Sequence, residues 1–459
     1  MHNLLKQNIM KDFYHKSRRL LRLVCAIAGL GLLACDESPK DENASYRPDQ
    51  PIELESFYPK SGPIATQVII KGKNFGTRAD EINVYFNEKK AAVISSTGDR
   101  MLVLAPKLPG EECVISVSIG DNKAQFEETF DYIIQTTVST LVGGTQGASM
   151  PQGTQSLSST QFADISETGL AIDGEDNIFA VFKNMEDGQY RVYMMNEEAG
   201  NIKSIADFDV LVTSILIGYD YKSGNVYWAH ANVGYNEYGY FDRRSDFVQV
   251  SESDVTYDQP LGYTDGMTSW GGRQCFVMNP EDGKFYFYTN EGTHARFDPA
   301  TGQGENLTSN IFKESAGEIR GLVFDPQDKN ICYFSVKGQH CIYKHNRTEG
   351  TCELWAGRKN TAGYLDGALD EAQFNEPCQM CADDEFIYVA DSKNHCIRKI
   401  TLATGYVSTL AGTAKTPGYA NGPADASTFN TPIGIAINSE GILYVNDSQN
   451  YAIRRIATE

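Results

Sequence analysis

The chain has 459 residues, enough for about three domains, and its 41% hydrophobic and 22% charged residues are typical of a globular protein. Its 41 Gly, 25 Tyr and 22 Phe residues favour tight turns and β-strands over helical bundles. The formal net charge is −20, and residues 1–34 contribute about five positive charges, so the remainder carries about −25. A surface this acidic repels phosphate backbones and argues against nucleic acid as a partner.

Residues 1–34 are expected to be a signal peptide. Residues 11–19 are basic, and Leu23–Ala34 is an uncharged run of 12 residues. That run is too short to span a bilayer but fits the apolar core of a signal peptide. Met10 is an alternative start that would give the segment a more usual length.

The apolar run ends in Leu32-Leu33-Ala34-Cys35, which resembles the bacterial lipobox. The resemblance implies that the Cys35 thiol receives diacylglycerol and that the peptide is cut before it; the alternative is an ordinary signal peptide with an incidental cysteine. Residues 35–50 are predicted to be an acidic flexible tether. Their early acidic residues resemble the surface-export signal of lipoproteins from Gram-negative gut anaerobes. These resemblances imply an outer-membrane protein that faces the cell exterior and contacts the membrane through its lipid anchor only.

Residues 51–133 have the pattern of a small β-sandwich. Short β-rich runs such as Val68–Ile70, Met101–Leu104 and Cys113–Ile119 alternate with turn residues. About seven such strands in this length are typical of an immunoglobulin-like sandwich.

Several motifs in this segment resemble the IPT/TIG domain family. They are Tyr58–Pro63, Ile70–Gly76, Ala105-Pro106 and Phe130–Tyr132. In the second motif two glycines bracket a turn around Phe75, which is predicted to be buried. The resemblance implies a spacer or interaction module rather than an enzyme.

The rest of the chain, residues 134–459, is a repeat. Tyr388–Ile400 matches Tyr444–Ile456 through a shared Tyr-Val-x-Asp-Ser-x-Asn-x-x-Ile-Arg pattern, and a weaker copy begins at Tyr333. Equivalent aromatic positions from Phe179 to Tyr444 define five intervals with a mean period of about 53 residues. Six units of this length, each with four short strands, predict a six-bladed β-propeller.

The two ends of this region are expected to close the ring. Val138–Gly143 resembles Val407–Gly412, the outer strand that follows a blade, and the last repeat stops near Ile456 without an outer strand. The N-terminal copy can supply the missing strand and remove an exposed edge. With Pro432–Ile437 before it, the repeat motif resembles NHL repeats. The predicted fold is therefore all-β, with an immunoglobulin-like IPT/TIG sandwich followed by a six-bladed NHL-type propeller.

Aromatic residues cluster in loops predicted to share one face. In a propeller the strands run from a at the axis to d at the rim, and the b–c and d–a loops emerge together. Gly-Tyr-x-Asp/Asn-Gly occurs in three predicted d–a loops, and the b–c loop of the second blade, placed at residues 232–240, is rich in tyrosine. Aromatic rings stack on sugars, and carboxylates accept hydrogen bonds from sugar hydroxyls. The ligand-binding candidates are Trp270, Tyr235, Tyr238, Tyr240, Tyr263, Tyr364, Tyr419, Asp265 and Asp366. The alternative for the Gly-Tyr loops, which we favour, is that each tyrosine packs under its own loop and the aspartate caps a turn.

Two repeat aspartates, Asp391 and Asp447, end predicted b strands, and His230 aligns with them. A ring of carboxylates could hold a structural calcium ion at the axis, and no other cofactor is predicted. The interpretation we favour is that these side chains stabilise the b–c turns with polar residues of the same repeat. Those residues are Asn394, Asn450, Arg398 and Arg454.

Six cysteines fall between residues 332 and 396. Cys378-x-x-Cys381 is compatible with a zinc or redox site, but its alignment with an inner apolar strand, and the lack of a second pair at metal spacing, favour buried free thiols. A disulfide between residues at equivalent positions of neighbouring blades stays open. The six are Cys332, Cys341, Cys352, Cys378, Cys381 and Cys396.

Three classes of function remain. The chain has seven His residues without paired spacing, and no nucleophile elbow or phosphate loop is present in its sequence. The domain combination resembles accessory surface proteins of glycan-uptake systems, which implies a non-catalytic glycan-binding module. The alternatives are a protein–protein scaffold at the outer membrane and a propeller enzyme of the lyase or lactonase type. The acidic surface predicts a neutral or cationic ligand.

Overall fold

The computed structural model describes residues 45–107, 109–165, 169–183, 189–208, 215–230, 238–251, 256–257, 275–288, 292–308, 311 and 318–459. Cys35 and the predicted signal peptide lie outside these residues. Within this part of the chain, no helix is both long and apolar enough to cross a membrane. The chain forms two compact units, and both are built of β-strands, which confirms the all-β prediction.

Eight strands form the sandwich. They are β1 (Glu53–Tyr58), β2 (Ser61–Gly62), β3 (Gln67–Lys73), β4 (Ile82–Phe86), β5 (Lys89–Ser96), β6 (Arg100–Leu104), β7 (Glu112–Ile119) and β8 (Asn122–Tyr132). Their order is β1-β3-β6-β5-β4-β7-β8-β2.

Alternating side chains build the sandwich core. In β3 every second residue is buried, because one face of the strand meets the core and the other meets solvent. Phe75 is buried as predicted. A Cβ atom at Gly72 would lie 2.0 Å from the Glu53 carbonyl oxygen, so only glycine allows these two backbones to approach.

Six sheets of four antiparallel strands form the propeller. Blades one to three contain β11 (Leu170–Ile172), β12 (Ile178–Lys183), β13 (Tyr190–Asn196), β14 (Asn201–Phe208); β15 (Ile215–Tyr219), β16 (Val226–His230), β17 (Tyr238–Asp242), β18 (Val248–Ser251); and β20 (Val277–Asn279), β21 (Lys284–Tyr288), β22 (His294–Asp298), β23 (Gln303–Thr308). Blades four to six contain β24 (Ile319–Phe324), β25 (Ile331–Val336), β26 (Cys341–Asn346), β27 (Thr351–Gly357); β29 (Pro377–Ala382), β30 (Phe386–Asp391), β31 (Cys396–Thr401), β32 (Tyr406–Ala411); and β34 (Pro432–Ile437), β35 (Leu443–Asp447), β36 (Ala452–Thr458), β9 (Thr136–Gly143). Short edge strands extend four blades, namely β10 (Thr154–Ser156), β19 (Thr256–Tyr257), β28 (Gly367–Ala368) and β33 (Gly422–Pro423).

The most apolar runs of the propeller sequence form the b strands. Every residue of β35 is buried, and β30 has only its first residue partly exposed. A b strand is covered by neighbouring blades on both faces, so its sequence reads as a continuous apolar run rather than an alternation.

The first propeller strand closes the ring by pairing with the last. β9 runs antiparallel to β36, from Thr136 opposite Thr458 to Gly143 opposite Ala452. The side chains of Val138 and Val142 are 2% and 1% exposed. β9 therefore covers the edge of the last blade, as the sequence predicts.

We expect that deleting residues 134–145 destabilises the whole propeller. The deletion removes two buried valines worth about 3 kcal/mol together and exposes the edge of β36. The melting temperature, measured by differential scanning calorimetry, should fall by several degrees. Ser139→Ala, at an exposed position of the same strand, should leave it unchanged. A truncated protein that melts at the original temperature would contradict closure by β9.

Candidate functional site

A buried arginine organises the last Gly-Tyr loop. The Arg454 side chain is fully buried, and its Nη1 donates to Asp447 Oδ2 at 2.8 Å. Its Nη2 donates to Asn421 Oδ1 at 2.6 Å and to the Ala420 carbonyl at 2.9 Å. The guanidinium lies 4.8 Å from the ring centre of Tyr419. The arginine therefore ties the d–a loop to the end of the b strand.

Blade five repeats this arrangement. Arg398 donates to Asp391 Oδ2 at 3.0 Å and to Asp366 Oδ1 at 2.6 Å, and it lies 4.9 Å from the ring centre of Tyr364. Asp391 also accepts from Asn394 Nδ2 at 2.8 Å. Burial raises the pKa of Asp391 to about 6, although the Arg398 charge and the Asn394 amide oppose the shift.

The tyrosines and the aspartate of these two loops hold the loops in place. Tyr364 Oη lies 2.7 Å from Thr409 Oγ1, and Tyr419 Oη lies 2.7 Å from Thr140 Oγ1. Asp366 accepts from Arg398 and from the backbone N–H of Thr409 at 3.1 Å. Tyr364 and Tyr419 thus contact the neighbouring strand through their hydroxyl groups, although Tyr419 is 39% exposed. Asp366 joins its loop to Arg398 and to β32 and does not cap a turn.

Two of the candidate tyrosines lie in a strand rather than in the predicted loop. Tyr238 and Tyr240, placed by sequence in the b–c loop of blade two, are in strand β17. Tyr238 is 7% exposed, and its ring meets Phe297 of blade three edge-on at 4.6 Å. Tyr240 packs against Tyr227, with ring centres 5.4 Å apart. Cross-strand and inter-blade packing, which the spacing of tyrosines does not reveal, accounts for both.

The other aromatic and acidic candidates lie outside the described residues. They are Tyr235, Tyr263, Asp265 and Trp270. For His230 the structure describes the backbone, at the end of β16, but not the side chain.

The inner strands leave a cavity of about 280 Å³ at the axis. Its lining includes residues of the b–c turns and of the d–a connections, so it opens on the face predicted to bind ligand. The polar lining residues are Arg320, Lys337, Glu376, Gln379, Ser392, Lys393, Thr431, Ser448 and Gln449. Apolar side chains, including Phe276 and Ile433, complete the wall.

Gln379 forms the floor of this cavity. Its Oε1 accepts from the backbone N–H groups of Leu170 at 2.8 Å and Ile435 at 3.0 Å, and its Nε2 donates to the Leu170 carbonyl at 2.8 Å. The side chain thus joins blades one, five and six across the axis. A second cavity of about 320 Å³ lies on the opposite face of the propeller, from which the a–b turns emerge, and its lining also includes Gln379. The equivalent positions in blades four and six are Gly321 and Gly434. A glutamine where the other two blades have glycine is the sequence signal that could have pointed to Gln379.

Charged side chains cluster on the side of the cavity formed by blades four and five. Glu318 Oε2 accepts from Arg320 Nη2 and Lys337 Nζ, both at 3.1 Å. Lys337 Nζ also lies 3.7 Å from Glu376 Oε2. Partial burial acts to raise the pKa of Glu318, but the two neighbouring cations outweigh it and hold this pKa below its ordinary value. Glu318 therefore stays ionised near neutral pH.

The described cysteines are free thiols, as the sequence favoured. Eight are present, six of them buried, and Cys341 and Cys396 are not bridged. Cys378 and Cys381 lie on β29, and burial raises the pKa of Cys378 to about 11 and that of Cys381 well above its ordinary value. Among the described residues no three His, Cys, Asp or Glu side chains are grouped so as to hold a metal ion.

We expect Asp447→Asn to lower the free energy of unfolding by about 3–5 kcal/mol, because it leaves the buried Arg454 charge uncompensated. Urea unfolding of the propeller measures this loss. Asp425→Asn, at an exposed position, should change stability by less than about 0.5 kcal/mol. The double variant Asp447→Leu/Arg454→Met should cost less than Asp447→Asn alone. A single variant as stable as the control would show that the ion pair does not support the turn.

Comparison with known proteins supports both parts of the chain. Residues 52–161 match the family model of the IPT/TIG domain; this match runs beyond β8, which ends at Tyr132, into strands of the propeller. NHL repeat-containing protein 2 of Homo sapiens is 30% identical over 176 residues, 36% of this chain and 24% of that protein. SUPPRESSOR OF QUENCHING 1, chloroplastic, of Arabidopsis thaliana is 40% identical over 95 residues, 20% of this chain and 9% of that protein. The chain spans a quarter or less of the length of the curated relatives it matches.

Two solved structures show the same fold over most of the chain. An auxiliary nutrient binding protein from Bacteroides ovatus is 21% identical, with a TM-score of 0.67, and the match covers 90% of this chain and 100% of that one. A protein of unknown function from Bacteroides thetaiotaomicron is 23% identical, with a TM-score of 0.62, and the match covers 91% and 100%. The chain thus consists of an IPT/TIG domain followed by a six-bladed β-propeller whose sequence relatives are NHL-repeat proteins.

Proposed function

We propose that this protein is a non-catalytic binding module that takes a nutrient glycan into the axial cavity, as an accessory to polysaccharide uptake at the cell surface. The observation that carries the proposal is a cavity whose lining includes polar side chains that make no polar contact within the described fold. The side chains of Lys393 and Gln449 line it, and neither makes a hydrogen bond or ion pair with another described residue.

The chemistry of the lining suits a sugar. Gln449 offers both an amide donor and an acceptor, and Glu376 offers carboxylate oxygens to hydroxyl groups. Phe276 adds apolar surface to the wall, although its ring is stacked on Phe285 and only 5% of the residue is exposed. A volume of about 280 Å³ is close to the lower end for small-molecule sites, so the cavity suits one or two sugar units rather than a long chain segment.

The fold comparison supports a binding role of this kind. The neighbour from Bacteroides ovatus is named an auxiliary nutrient binding protein, and it matches across both domains. The IPT/TIG domain then serves as a spacer between the membrane and the propeller.

Binding should be measurable by isothermal titration calorimetry of the purified chain against a panel of oligosaccharides. We expect Gln449→Ala to weaken binding several-fold, because one hydrogen-bonding side chain is worth about 1 kcal/mol. Trp270→Ala tests whether the predicted loop aromatic also contributes. Gln303→Ala, on the exposed start of β23, is the matched control and should bind as the parent does.

Tyr238→Ala separates packing from binding in the same assay. Because this ring is buried between two blades, its loss should lower the melting temperature. If no saccharide binds the folded chain, the glycan proposal fails and a protein partner at the outer membrane takes its place. If a saccharide is cleaved or eliminated, the protein is an enzyme.

The anchoring proposal rests on the sequence alone. Cys35→Ser should move the protein from the membrane fraction to the soluble fraction of the producing cell, because several acyl chains hold a lipoprotein firmly. Immunoblotting of the separated fractions measures the shift. A variant that stays with the membrane would place the anchor elsewhere, whereas Cys25→Ser, before the proposed cleavage site, should leave the distribution unchanged.

A further inference from the structure

The axial cavity carries more cations than carboxylates among its described residues. Arg320, Lys337 and Lys393 face it, while Glu318 and Glu376 are the carboxylates beside them. Glu318 is shared by Arg320 and Lys337, and Glu376 lies beside Lys337. One positive charge is left over, and Lys393, whose side chain is exposed, has no acidic partner in the described chain.

The repeat shows that the blade fold does not require these cations. Lys393 is the second residue of a b–c turn, where the neighbouring blades have Gly338 and Gln449. Lys337 is the first residue of its own turn, where the next two blades have serine.

Arg320, on the inner strand of blade four, is likewise not repeated in the other blades. The two following blades have Cys378 and Ile433 at this position. By contrast, the residues that hold the last two b–c turns repeat unchanged between blades, namely Asp391 and Asp447, Asn394 and Asn450, and Arg398 and Arg454.

We propose that this cavity selects saccharides that carry a carboxylate, and that Lys393, Arg320 and Lys337 recognise its charge. The inference rests on the proposed function and names its substrate class. It also replaces the expectation of a neutral or cationic ligand, which followed from the net charge of the whole chain.

The charges next to the cavity, rather than the net charge of the whole chain, determine which ligand charge is favoured. The Debye length is about 8 Å at physiological ionic strength, so acidic groups spread over the surface are largely screened at the cavity. A carboxylate within contact distance of Lys393 and Arg320 is not screened in this way. The Nη1 of Arg320 makes no hydrogen bond to another described residue and is free to donate to it.

Among the described residues of the cavity one positive charge stays uncompensated, and a single such charge favours a monoanion. Glu318 already shows how these cations accept a carboxylate, because Arg320 and Lys337 both donate to the same oxygen. A uronic acid unit carries one such group beside hydroxyls that Gln449 and Glu376 can bind.

The test compares a disaccharide that carries a single galacturonic acid unit with its methyl ester, which has nearly the same shape without the charge. Calorimetry on the complete purified chain should show the acid bound at least ten-fold more tightly, with an affinity that falls as salt rises. Lys393→Gln, which keeps the chain length and removes the charge, should weaken binding of the acid about five-fold and leave binding of the ester unchanged. Lys344→Gln, on strand β26 of blade four and not in the cavity lining, is the matched control and should change neither affinity.

The outcomes separate this inference from the proposed function. Equal affinity for acid and ester, or an equal loss of both in Lys393→Gln, overturns the carboxylate inference while glycan binding stands. Tighter binding of a disaccharide with a single sulfate group than of the acid overturns it as well. If neither these ligands nor the wider panel bind the folded chain, the proposed function fails with it.

Discussion

Antiparallel pairing between β9 and β36 is the constraint on which the propeller depends. Eight residues from the start of the domain supply the outer strand of its last blade. Without this pairing the edge of β36 is exposed, and the last blade loses its outer strand. The axial cavity and the position of Gln379 across it both follow from closure, because residues from blades one, five and six meet there.

The buried guanidinium groups of Arg398 and Arg454 hold together neighbouring segments within one blade, as β9 holds together the two ends of the ring. Each links the end of a b strand to the preceding d–a loop and stacks near a tyrosine of that loop. A charge held inside a protein needs several well-placed partners, and Arg398 and Arg454 each find an aspartate and backbone carbonyls. The two described Gly-Tyr-x-Asp/Asn-Gly loops, around Tyr364 and Tyr419, are therefore tied into the scaffold, although their composition is also what a sugar-binding loop would have.

The sequence could predict whatever repeats. The period near 53 residues, the outer-strand copy at Val138–Gly143 and the spacing between Asp447 and Arg454 all recur, so the alignment of units revealed blades, closure and turn pairing. For a residue that differs in one blade, the alignment shows that the residue is unusual but does not show what it contacts. Gln379 reaches across the axis, and Tyr238 packs into the next blade, because of three-dimensional neighbours that no local pattern encodes.

The same distinction separates the scaffold from the site. In a repeat protein, a position that every unit fills alike is set by the fold common to the units, whereas a position that differs between units is not fixed by that fold. The second residue of the b–c turn is Gly338, Lys393 or Gln449 in three blades with the same turn geometry, each followed two residues later by a left-handed residue. Since the turn accepts all three residues, its stability does not select among them. These positions face the axial cavity in blades five and six, so a change there alters the cavity lining without disturbing the turn.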